Sequence, residues 1–548
     1  MHPLKRTLPL LSAVALAAAG FAAQADDRRH DRDRPMACAD LTQLDLPHTR
    51  IVSATEMAAA PFPFPDPAPT CASPIASPNL PAFCRVIGVI EPQITFEVWL
   101  PTKGAWNGKF QAFGNHGFAG TIDYADLGPE LVKGYAIAST DAGHAGADPL
   151  PWMQNRQQII DYGYRGVHEM TVKSKEIVKA YYGKKAKYSY FNGCSTGGKE
   201  GLMEAQRYPD DYDGIVSGHP NFDQIGNRTQ YVWNSQVSFG ANPPAPLAGA
   251  KLTLINNAVT AACDARDGVV DGVIDDPRGC PWKPSSLLCT AGQNPATCLT
   301  QIEVTALEKI YAGPTDSRGR QIYPGMVKGS ERGWAGTSAG PNVPGTADQF
   351  FKYMVFNDLN WNYRTFSFDS DYRYAVRNFG HLINAVDPDL SEFKKKGGKL
   401  LHYHSYRSTT HTAPKSIEYY EEVNSVMNRG KDDDFRKTQD FYRLFMAPGG
   451  SGNKGPEKFD PLPYLERWVE QGVAPTRIIA SNITAGVVDR TRPLCPWPQV
   501  SVYKGSGSID AAENFACKDT RDDDDDHHHH GHGHGHDHHN HGHGHDRD

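Results

Sequence analysis

The sequence predicts an α/β fold in which helices cover both faces of a mainly parallel sheet that a large insertion interrupts. Segments with strand and helix patterns alternate over residues 94–221 and again over 399–480, and such alternation is typical of parallel sheets. The roughly 165 residues between these stretches are rich in Gly, Pro, Trp and Cys and show few clean helices or strands. This indicates an insertion between two halves of one sheet rather than a tandem domain.

The first stretch begins with residues 94–100, which alternate between apolar and polar as a half-buried strand does. Further strands are predicted at 109–113, 135–139, 187–192 and 212–217. Apolar residues at helical spacing predict an amphipathic helix over 167–181, and a second helix is predicted over 198–207. The segment GNHGFAG, 114–120, directly follows the strand predicted at 109–113, and its three glycines indicate a turn.

The second stretch repeats the alternation after the insertion. It comprises strands at 399–404, 441–446 and 477–480 and helices at 415–427 and 464–471. An insertion at this point is expected over the carboxyl ends of the strands, where ligands bind in open α/β sheets. The inserted residues are therefore predicted to form a lid.

The amino terminus has the pattern of a secretory signal. Lys5 and Arg6 precede an apolar run from Leu8 to Ala23, which closes with small residues. A membrane anchor is the alternative, but it would need about 20 apolar residues. We therefore expect cleavage after residue 25, export to the periplasm or medium, and a disordered charged segment over 26–37.

Composition and net charge limit the kinds of partner that the protein is expected to bind. A net charge of -7 over 548 residues argues against nucleic acid as the main partner. No segment after the predicted signal is long and apolar enough to span a bilayer, so no membrane association is expected once the signal is removed. The sequence gives no indication of the oligomeric state.

The carboxyl terminus, 521–548, is an Asp/His-rich tract that cannot bury a core and is predicted to be disordered. It contains twelve of the 23 histidines of the chain. Histidines one or two residues apart can bind Zn, Ni or Cu ions through neutral imidazoles. A solubilising tail without metal is the alternative.

Ten cysteines in a chain with an export signal indicate disulfides. Spacing suggests four pairs, which are Cys38–Cys84, Cys263–Cys280, Cys289–Cys298 and Cys495–Cys517. Cys71 and Cys194 then have no obvious partner.

Residues 193–197, GCSTG, have the G-x-S-x-G pattern of a nucleophile elbow. The predicted strand before Ser195 and the predicted helix after it are the context in which the hydroxyl is raised clear of a sheet. The backbone N–H of Thr196 is a candidate oxyanion donor, and a second donor is expected from the loop that begins at Gly114. The alternative is a glycine-rich turn with an ordinary surface serine.

A second motif lies in the predicted lid, in CDARDGVVDGVIDDPRGC, 263–280. Asp264, Asp267 and Asp271 are spaced three and four apart, and Gly268 and Gly272 permit tight turns that aim carbonyls inward. Carboxylate and carbonyl oxygens suit Ca²⁺. A solvated acidic turn is the alternative.

Several long motifs together resemble the tannase/feruloyl esterase family. They are VHEMTVKSKEIVKAYYG, SYFNGCSTGGKEGLMEAQRYPDDYDGIVSG, CDARDGVVDGVIDDP, FFKYMVFNDLNW and DFYRLFMAPG. The resemblance covers residues from about 38 to 517 and implies an α/β-hydrolase core, a lid with calcium, and hydrolysis of aromatic acid esters. It implies that Ser195 is the nucleophile and that the calcium ligands are Asp264, Asp267, Val269, Asp271 and Val273, with the valines acting through backbone oxygen.

The domain boundaries expected from these patterns divide the core into two parts. They are a core segment at 38–221, a lid with the calcium loop at 222–388, and a second core segment at 389–520. The signal, 1–25, the charged segment, 26–37, and the tail, 521–548, lie outside the folded part.

The sequence departs from the family pattern at the partners of Ser195. The family places its acid in a segment resembling HGWxDP, but residues 404–409 read HSYRST, with Ser408 at that position. It places its histidine in a glycine-rich MGHC sequence, but residues 447–456 read APGGSGNKGP. Family members join the Cys beside the nucleophile to the Cys of that sequence, so Cys194 is expected to be unpaired. His411 is the candidate substitute base, with His116 and His219 as further options.

Three functions are therefore open. The first is an exported serine esterase that acts on small aromatic esters, with impaired activity. The second is a non-catalytic descendant that binds an aromatic ester or acid. The third is an exported metal-binding protein that functions through its histidine tail.

Overall fold

The fold is built on a nine-stranded sheet, seen in a computed structural model. The structure describes residues 34–519 except 63–78, 147, 149, 336–344, 431–433 and 451–454. The predicted signal and the histidine tail lie outside the described residues.

The strands of this sheet are β1 (Thr49–Met57), β2 (Phe83–Ile90), β3 (Ile94–Pro101), β4 (Lys109–Phe113), β5 (Ala136–Thr140), β6 (Tyr188–Cys194), β7 (Gly214–Gly218), β8 (Lys399–Ser405) and β9 (Tyr442–Ala447). Across the sheet they follow the order β1-β2-β3-β5-β4-β6-β7-β8-β9. The pairs β1–β2, β2–β3 and β3–β5 are antiparallel, and the remaining pairs are parallel. Four further strands form two small antiparallel sheets, and they are β10 (Ile478–Thr484), β11 (Val487–Leu494), β12 (Val500–Tyr503) and β13 (Phe515–Lys518).

The longer helices of the described residues are α1 (Tyr124–Val132), α2 (Gly166–Tyr182), α3 (Thr196–Arg207), α4 (Gln224–Ser238), α5 (Ala250–Cys263), α6 (Gln301–Ala312), α7 (Pro414–Asn428) and α8 (Leu462–Gln471). Shorter α-helices are Leu150–Met153, Arg156–Ile160, Gly345–Gln349, Ser370–Ala375, His381–Ile383, Ser391–Lys395 and Arg436–Gln439. None of the described helices is both long and apolar enough to cross a membrane.

The architecture agrees with the predicted α/β class. The sheet is mixed, with its parallel part covered by apolar clusters on both faces. Strands β7 and β8 are neighbours in the sheet, yet residues 219–398 separate them in sequence. The insertion therefore leaves and re-enters the sheet between two adjacent strands.

The expectation of few clean helices in the insertion is wrong, because α4, α5 and α6 each span 12 to 15 residues. Helix α4 is buried on nearly all sides and includes polar residues such as Asn227 and Gln230 among its buried positions. A helix without a polar outer face lacks the amphipathic period that sequence analysis detects.

Two strand predictions also need correction. Residues 477–480 do not extend the main sheet but pair with β11 in a hairpin. Strand β3 is not half-buried, because all but one of its residues are buried. It lies inside the sheet between β2 and β5 and is covered on both faces, so its polar Glu97 is buried and ion-paired with Arg85 at 2.7 Å.

The four predicted disulfides are present. The expectation that Cys194 is unpaired is wrong, because Cys194 is disulfide-bonded. Cys71 lies outside the described residues. The loss of the cysteine after β9 therefore does not leave a free thiol beside the candidate nucleophile.

Candidate functional site

Ser195 lies at a sharp turn between β6 and α3. Its backbone has φ 60° and ψ -113°, a conformation that a residue with a side chain rarely adopts. A Cβ atom on Gly193 would lie 2.3 Å from the Gly197 carbonyl oxygen, and one on Gly198 would lie 2.5 Å from that of Gly218. The flanking glycines are therefore required by close backbone approach, and the turn has the geometry of a nucleophile elbow.

The start of α3 carries the backbone amide that the sequence predicts as the first oxyanion donor. The backbone N–H of Thr196 makes no hydrogen bond to a described residue, whereas its Oγ1 donates to the Gly117 carbonyl. This hydrogen bond holds the loop after β4 against the elbow. The Thr196 amide is consequently available to a ligand bound at Ser195.

The loop that begins at Gly114 packs on the elbow as expected, but its first amides are already engaged. The Gly114 N–H donates to the Asn192 carbonyl at 3.0 Å, and the Asn115 N–H donates to Glu200 Oε2 at 2.8 Å. A second oxyanion donor from this loop would therefore have to be the amide of His116 or Gly117.

Glu200 is a site residue that sequence analysis missed. It is 2% exposed and lies one turn into α3. Burial raises its pKa to about 7, against the opposing effects of Lys199 and of the Asn115 N–H. Its hydrogen bond to Asn115 fixes the oxyanion loop, a contact that no local sequence signal reveals.

His116 is ion-paired within the same loop. Its Nε2 lies 3.0 Å from Asp123 Oδ2 and 3.8 Å from Asp126 Oδ2. Burial alone would lower the pKa of His116, but the two carboxylates raise it to about 9. His116 therefore carries a proton at neutral pH, which makes it a poor general base there.

The other histidines near the carboxyl end of β8 are buried, except for His219, which is half-buried. Burial lowers the pKa of His219 to about 4 and the pKa values of His402, His404 and His411 well below their usual range. Both ring nitrogens of His402 and of His404 make hydrogen bonds within the protein, through Ser416 among other partners. These two rings are structural.

His219 and His411 each have one ring nitrogen without a hydrogen bond to a described residue, and His219 Nδ1 accepts from the Ser405 N–H at 3.5 Å. The Nδ1 of His411 lies 3.3 Å from Thr410 Oγ1, and its carbonyl accepts from His404. Because the ring is neutral at physiological pH, it is chemically able to accept a proton. Among the described residues, however, no histidine makes a hydrogen bond to the Ser195 hydroxyl.

Ser408, at the position where the family has its acid, lies beyond the end of β8. Its Oγ accepts from the His411 backbone N–H at 3.5 Å. A carboxylate does reach this region from elsewhere in the chain, since Ser405 Oγ donates to Glu457 Oε2 at 3.0 Å. Glu457 follows residues 451–454, which lie outside the described residues, and no sequence motif points to it.

The acidic loop of the insertion follows α5 and is closed by the Cys263–Cys280 disulfide. Gly268 and Gly272 both take left-handed conformations, with φ of 91° and 80°, which a residue with a side chain would adopt only with strain. The carboxylate of Asp264 accepts from the Gly272 N–H at 3.0 Å, and that of Asp267 accepts from the Val269 N–H at 3.1 Å. The carboxylates thus order the loop around themselves.

Asp271 differs from the other two acids because it is ion-paired. Its Oδ2 lies 2.6 Å from Arg492 and 3.0 Å from Arg490. The side chains of Val269 and Val273 are buried, so these residues could offer an ion only their carbonyls. The oxygen donors of the loop are of the kind that Ca²⁺ prefers. The Asp271 carboxylate belongs to this donor set and also pairs with the two arginines of β11.

Comparison with known proteins places this geometry in context. The family model described as tannase and feruloyl esterase matches residues 82–518. An uncharacterized esterase of Xanthomonas campestris pv. campestris is 37% identical, over 88% of this chain and 91% of its own. Mono(2-hydroxyethyl) terephthalate hydrolase of Piscinibacter sakaiensis is 32% identical, over 82% of this chain and 87% of its own.

Solved structures agree with this match. Feruloyl esterase B from Aspergillus oryzae superposes with a TM-score of 0.79 at 29% identity, covering 88% of this chain and 99% of that one. Tannin acyl hydrolase from Aspergillus niger gives a TM-score of 0.72 at 22% identity, covering 86% and 92%, which supports the fold alone.

Proposed function

The chain belongs to the tannase and feruloyl esterase family, and we propose that it is an exported carboxylic ester hydrolase that acts on aromatic esters through Ser195, at a reduced rate. The observation that carries the proposal is the strained Ser195 backbone beside the unengaged Thr196 amide. The disulfides favour an oxidising compartment, in agreement with the predicted signal.

In the proposed reaction the Ser195 hydroxyl oxygen attacks the ester carbonyl carbon. The carbonyl oxygen gains negative charge and is stabilised by the Thr196 N–H and by an amide of the loop at 116–117. The alcohol leaves with a proton, an acyl-enzyme remains on Ser195, and water then releases the aromatic acid. Each proton transfer requires a base near Ser195.

The reduced rate is proposed because no described histidine makes a hydrogen bond to Ser195. Loss of the base from a serine triad costs on the order of a million-fold in kcat. Oxyanion stabilisation and binding alone leave roughly a thousand- to ten-thousand-fold acceleration over water. His411 is the proposed substitute base, since its ring is neutral and has one nitrogen without a described partner.

An esterase assay on a feruloyl ester tests this function. The expected result is turnover far below the ordinary range of about 1 to 1,000 per second, abolished by Ser195→Ala. Rebuilding the family acid and histidine with Ser408→Asp and Gly452→His should raise the rate at least about a hundred-fold, the usual contribution of general acid–base catalysis.

Two outcomes would contradict the proposal in different ways. An ordinary rate that Ser195→Ala abolishes would show that a working base is present, and His411→Ala would then identify or exclude His411. A rate that Ser195→Ala leaves unchanged, with no gain on rebuilding, would favour the second candidate, a non-catalytic protein that binds an aromatic ester or acid. The buried, hydrogen-bonded state of His402 and His404 is the observation that favours this candidate.

We also propose that Ca²⁺ binds in the lid through Asp264, Asp267, Asp271 and the carbonyls of Val269 and Val273. Bound there, the ion would cross-link the acidic loop and offset the mutual repulsion of its carboxylates. Its proposed role is structural, because the loop is ordered by its own backbone hydrogen bonds and takes no part in the steps at Ser195.

A further inference from the structure

We propose that Arg228 forms a carboxylate-binding subsite beside Ser195, so that the protein prefers aromatic ligands that carry a free carboxylate. This inference rests on the proposed function because the ligand is expected to bind beside Ser195. It adds that the ligand should carry a negative charge, which ester hydrolysis at Ser195 does not require.

Arg228 is a buried cation without a matching anion. It lies in α4 and is 4% exposed. Its Nη1 donates to Asn227 Oδ1 at 2.7 Å, but its Nε is buried and has no hydrogen-bond partner. No described carboxylate makes an ion pair with its guanidinium.

The guanidinium lies against aromatic rings on the side of the nucleophile elbow. It is 5.6 Å from the ring centroid of Phe118 and 5.7 Å from that of Tyr231. Phe118 directly follows Gly117, whose carbonyl accepts from Thr196 Oγ1. Arg228 is thus linked to the residue after Ser195 through one loop.

The same helix is joined to the segment after β8. Asn227 Nδ2 donates to the Thr410 carbonyl at 2.8 Å, and the Tyr231 hydroxyl donates to the same oxygen at 2.5 Å. Arg228 therefore lies between the oxyanion loop and the segment that carries Ser408 and His411. An ester bound at Ser195 would lie beside the same two segments.

The titratable groups that face Arg228 do not supply negative charge near neutral pH. Burial raises the pKa of Tyr162 to about 12 and raises the pKa of Tyr231 and that of Tyr323, while burial and the Arg228 charge lower the pKa of His411. All four side chains are therefore neutral. The positive charge of Arg228 is left without compensation by the protein.

A buried charge without a partner costs free energy, which a bound anion would recover. A guanidinium presents five N–H groups in a planar fork that matches a carboxylate. The flanking rings can stabilise the cation but cannot accept hydrogen bonds from the edge of the fork. An aromatic carboxylate would suit both the guanidinium and the flanking rings. Its oxygens would pair with the guanidinium, and its ring would pack on Phe118 and Tyr231.

Calorimetric titration of the full-length protein with benzoate and with benzamide tests the charge requirement. The two probes share size and ring and differ in charge. We expect benzoate to bind at least about tenfold more tightly, since charge-assisted pairs are roughly twice as strong as neutral ones. The Arg228→Met variant should lose this preference by weakening benzoate alone, and Arg228→Lys should retain part of it.

Arg364→Met is the matched control, because Arg364 also lies over a tyrosine ring, at 4.6 Å from the Tyr363 centroid, but is exposed. It should bind both probes like the wild type. The Ser195→Ala variant should keep the benzoate preference, so a protein without esterase activity can still confirm the subsite.

Equal wild-type affinity for the two probes would overturn the inference. So would a benzoate preference that Arg228→Met leaves intact. A thermal melt of Arg228→Met supplies a second test, because replacing an unpaired buried charge with an apolar side chain should leave the melting temperature unchanged or raise it. A marked fall would assign Arg228 a structural role instead.

Discussion

Ser195 has a strained backbone, and its hydroxyl accepts no hydrogen bond from, and donates none to, a described histidine. A conformation of this kind costs on the order of 1–3 kcal/mol and persists only where the surroundings enforce it. Here the enforcing contacts are the hydrogen bonds from the Ser195 N–H to the Gly218 carbonyl and from the Asn221 N–H to the Ser195 carbonyl. The geometry of a nucleophile is thus maintained by the fold, independently of any base.

His116 gives a pH-dependent prediction at the scale of one residue. Its pKa is about 9 in the folded protein and 6.5 ordinarily. The stabilisation from its ion pair is therefore fully present below pH 6.5 and is lost as the pH rises through about 9. The free energy of unfolding of the wild type should fall by about 2–3 kcal/mol over this interval, relative to that of His116→Gln.

Denaturant titrations of both proteins between pH 6 and pH 10 measure this difference. Subtracting the two profiles removes the titration of groups that they share, such as Lys199, whose pKa burial lowers to about 8. Parallel profiles would show that the contact between His116 and Asp123 contributes nothing to stability.

The sequence singled out some candidate site residues and not others for a physical reason. Ser195 and the candidate Ca²⁺ ligands lie in contiguous motifs whose spacing carries the signal. Glu200 and Arg228 have no such motif, because each contacts residues far away in sequence. Asn115 lies 85 residues from Glu200, for example, and only the folded chain shows that they are in contact.

At the scale of elements, the acidic loop connects the insertion to the carboxyl-terminal hairpin. Arg490 and Arg492 of β11 both contact Asp271, and Arg492 lies 3.5 Å from Asp275. The Cys495–Cys517 disulfide links the end of the hairpin to β13 of the small carboxyl-terminal sheet. Order in the loop is therefore expected to affect the stability of both regions.

Chelation provides the prediction for this element. If Ca²⁺ binds only the folded loop, at 100 times its dissociation constant it adds about 2.7 kcal/mol to stability. Excess chelator should therefore lower the melting temperature, and added Ca²⁺ should restore it. Asp267→Asn should melt early and respond little to either treatment.

Asp316→Asn is the control for this measurement. Asp316 is another acid of the insertion that orders a turn, accepting from the N–H groups of Arg318 and Arg320, but it lies outside the acidic loop. Its variant should respond to chelator like the wild type. An identical melting temperature for the wild type with and without chelator would count against the site.

Secondary structure was predictable where one face of an element meets solvent or where a strand is flanked by helices. Helix α2 and strands β4 to β9 were located to within a few residues. The antiparallel strands β1 and β2 were not predicted, and residues 478–480 were assigned to the wrong sheet. Strand pairing depends on distant partners, so local alternation identifies a strand without identifying its neighbour.

At the scale of the whole molecule, the order of the strands brings the candidate site together. Strands β6, β7 and β8 are adjacent, so the elbow after β6, His219 after β7 and the segment after β8 meet at one edge of the sheet. The insertion leaves after β7 and contributes Arg228 to the same edge. Segments from residue 114 to residue 411 thus converge at the carboxyl ends of the parallel strands.

The histidine tail gives the last prediction, because it is the part of the sequence richest in candidate metal ligands. The described chain closes with β13 and with Cys517 in a disulfide, and residues 521–548 contain too little apolar surface to add a core. Deleting 521–548 should leave the melting temperature unchanged, and excess chelator should lower it by the same amount as in the full-length chain. It should abolish the weak binding of several Zn²⁺ or Ni²⁺ ions that we expect of the full-length chain near neutral pH, where its imidazoles are largely unprotonated. Calorimetric metal titration of the two proteins measures this difference. A truncated chain that melts earlier in metal-free buffer would show that the tail packs on the fold, and equal metal binding by both chains would place the metal sites elsewhere.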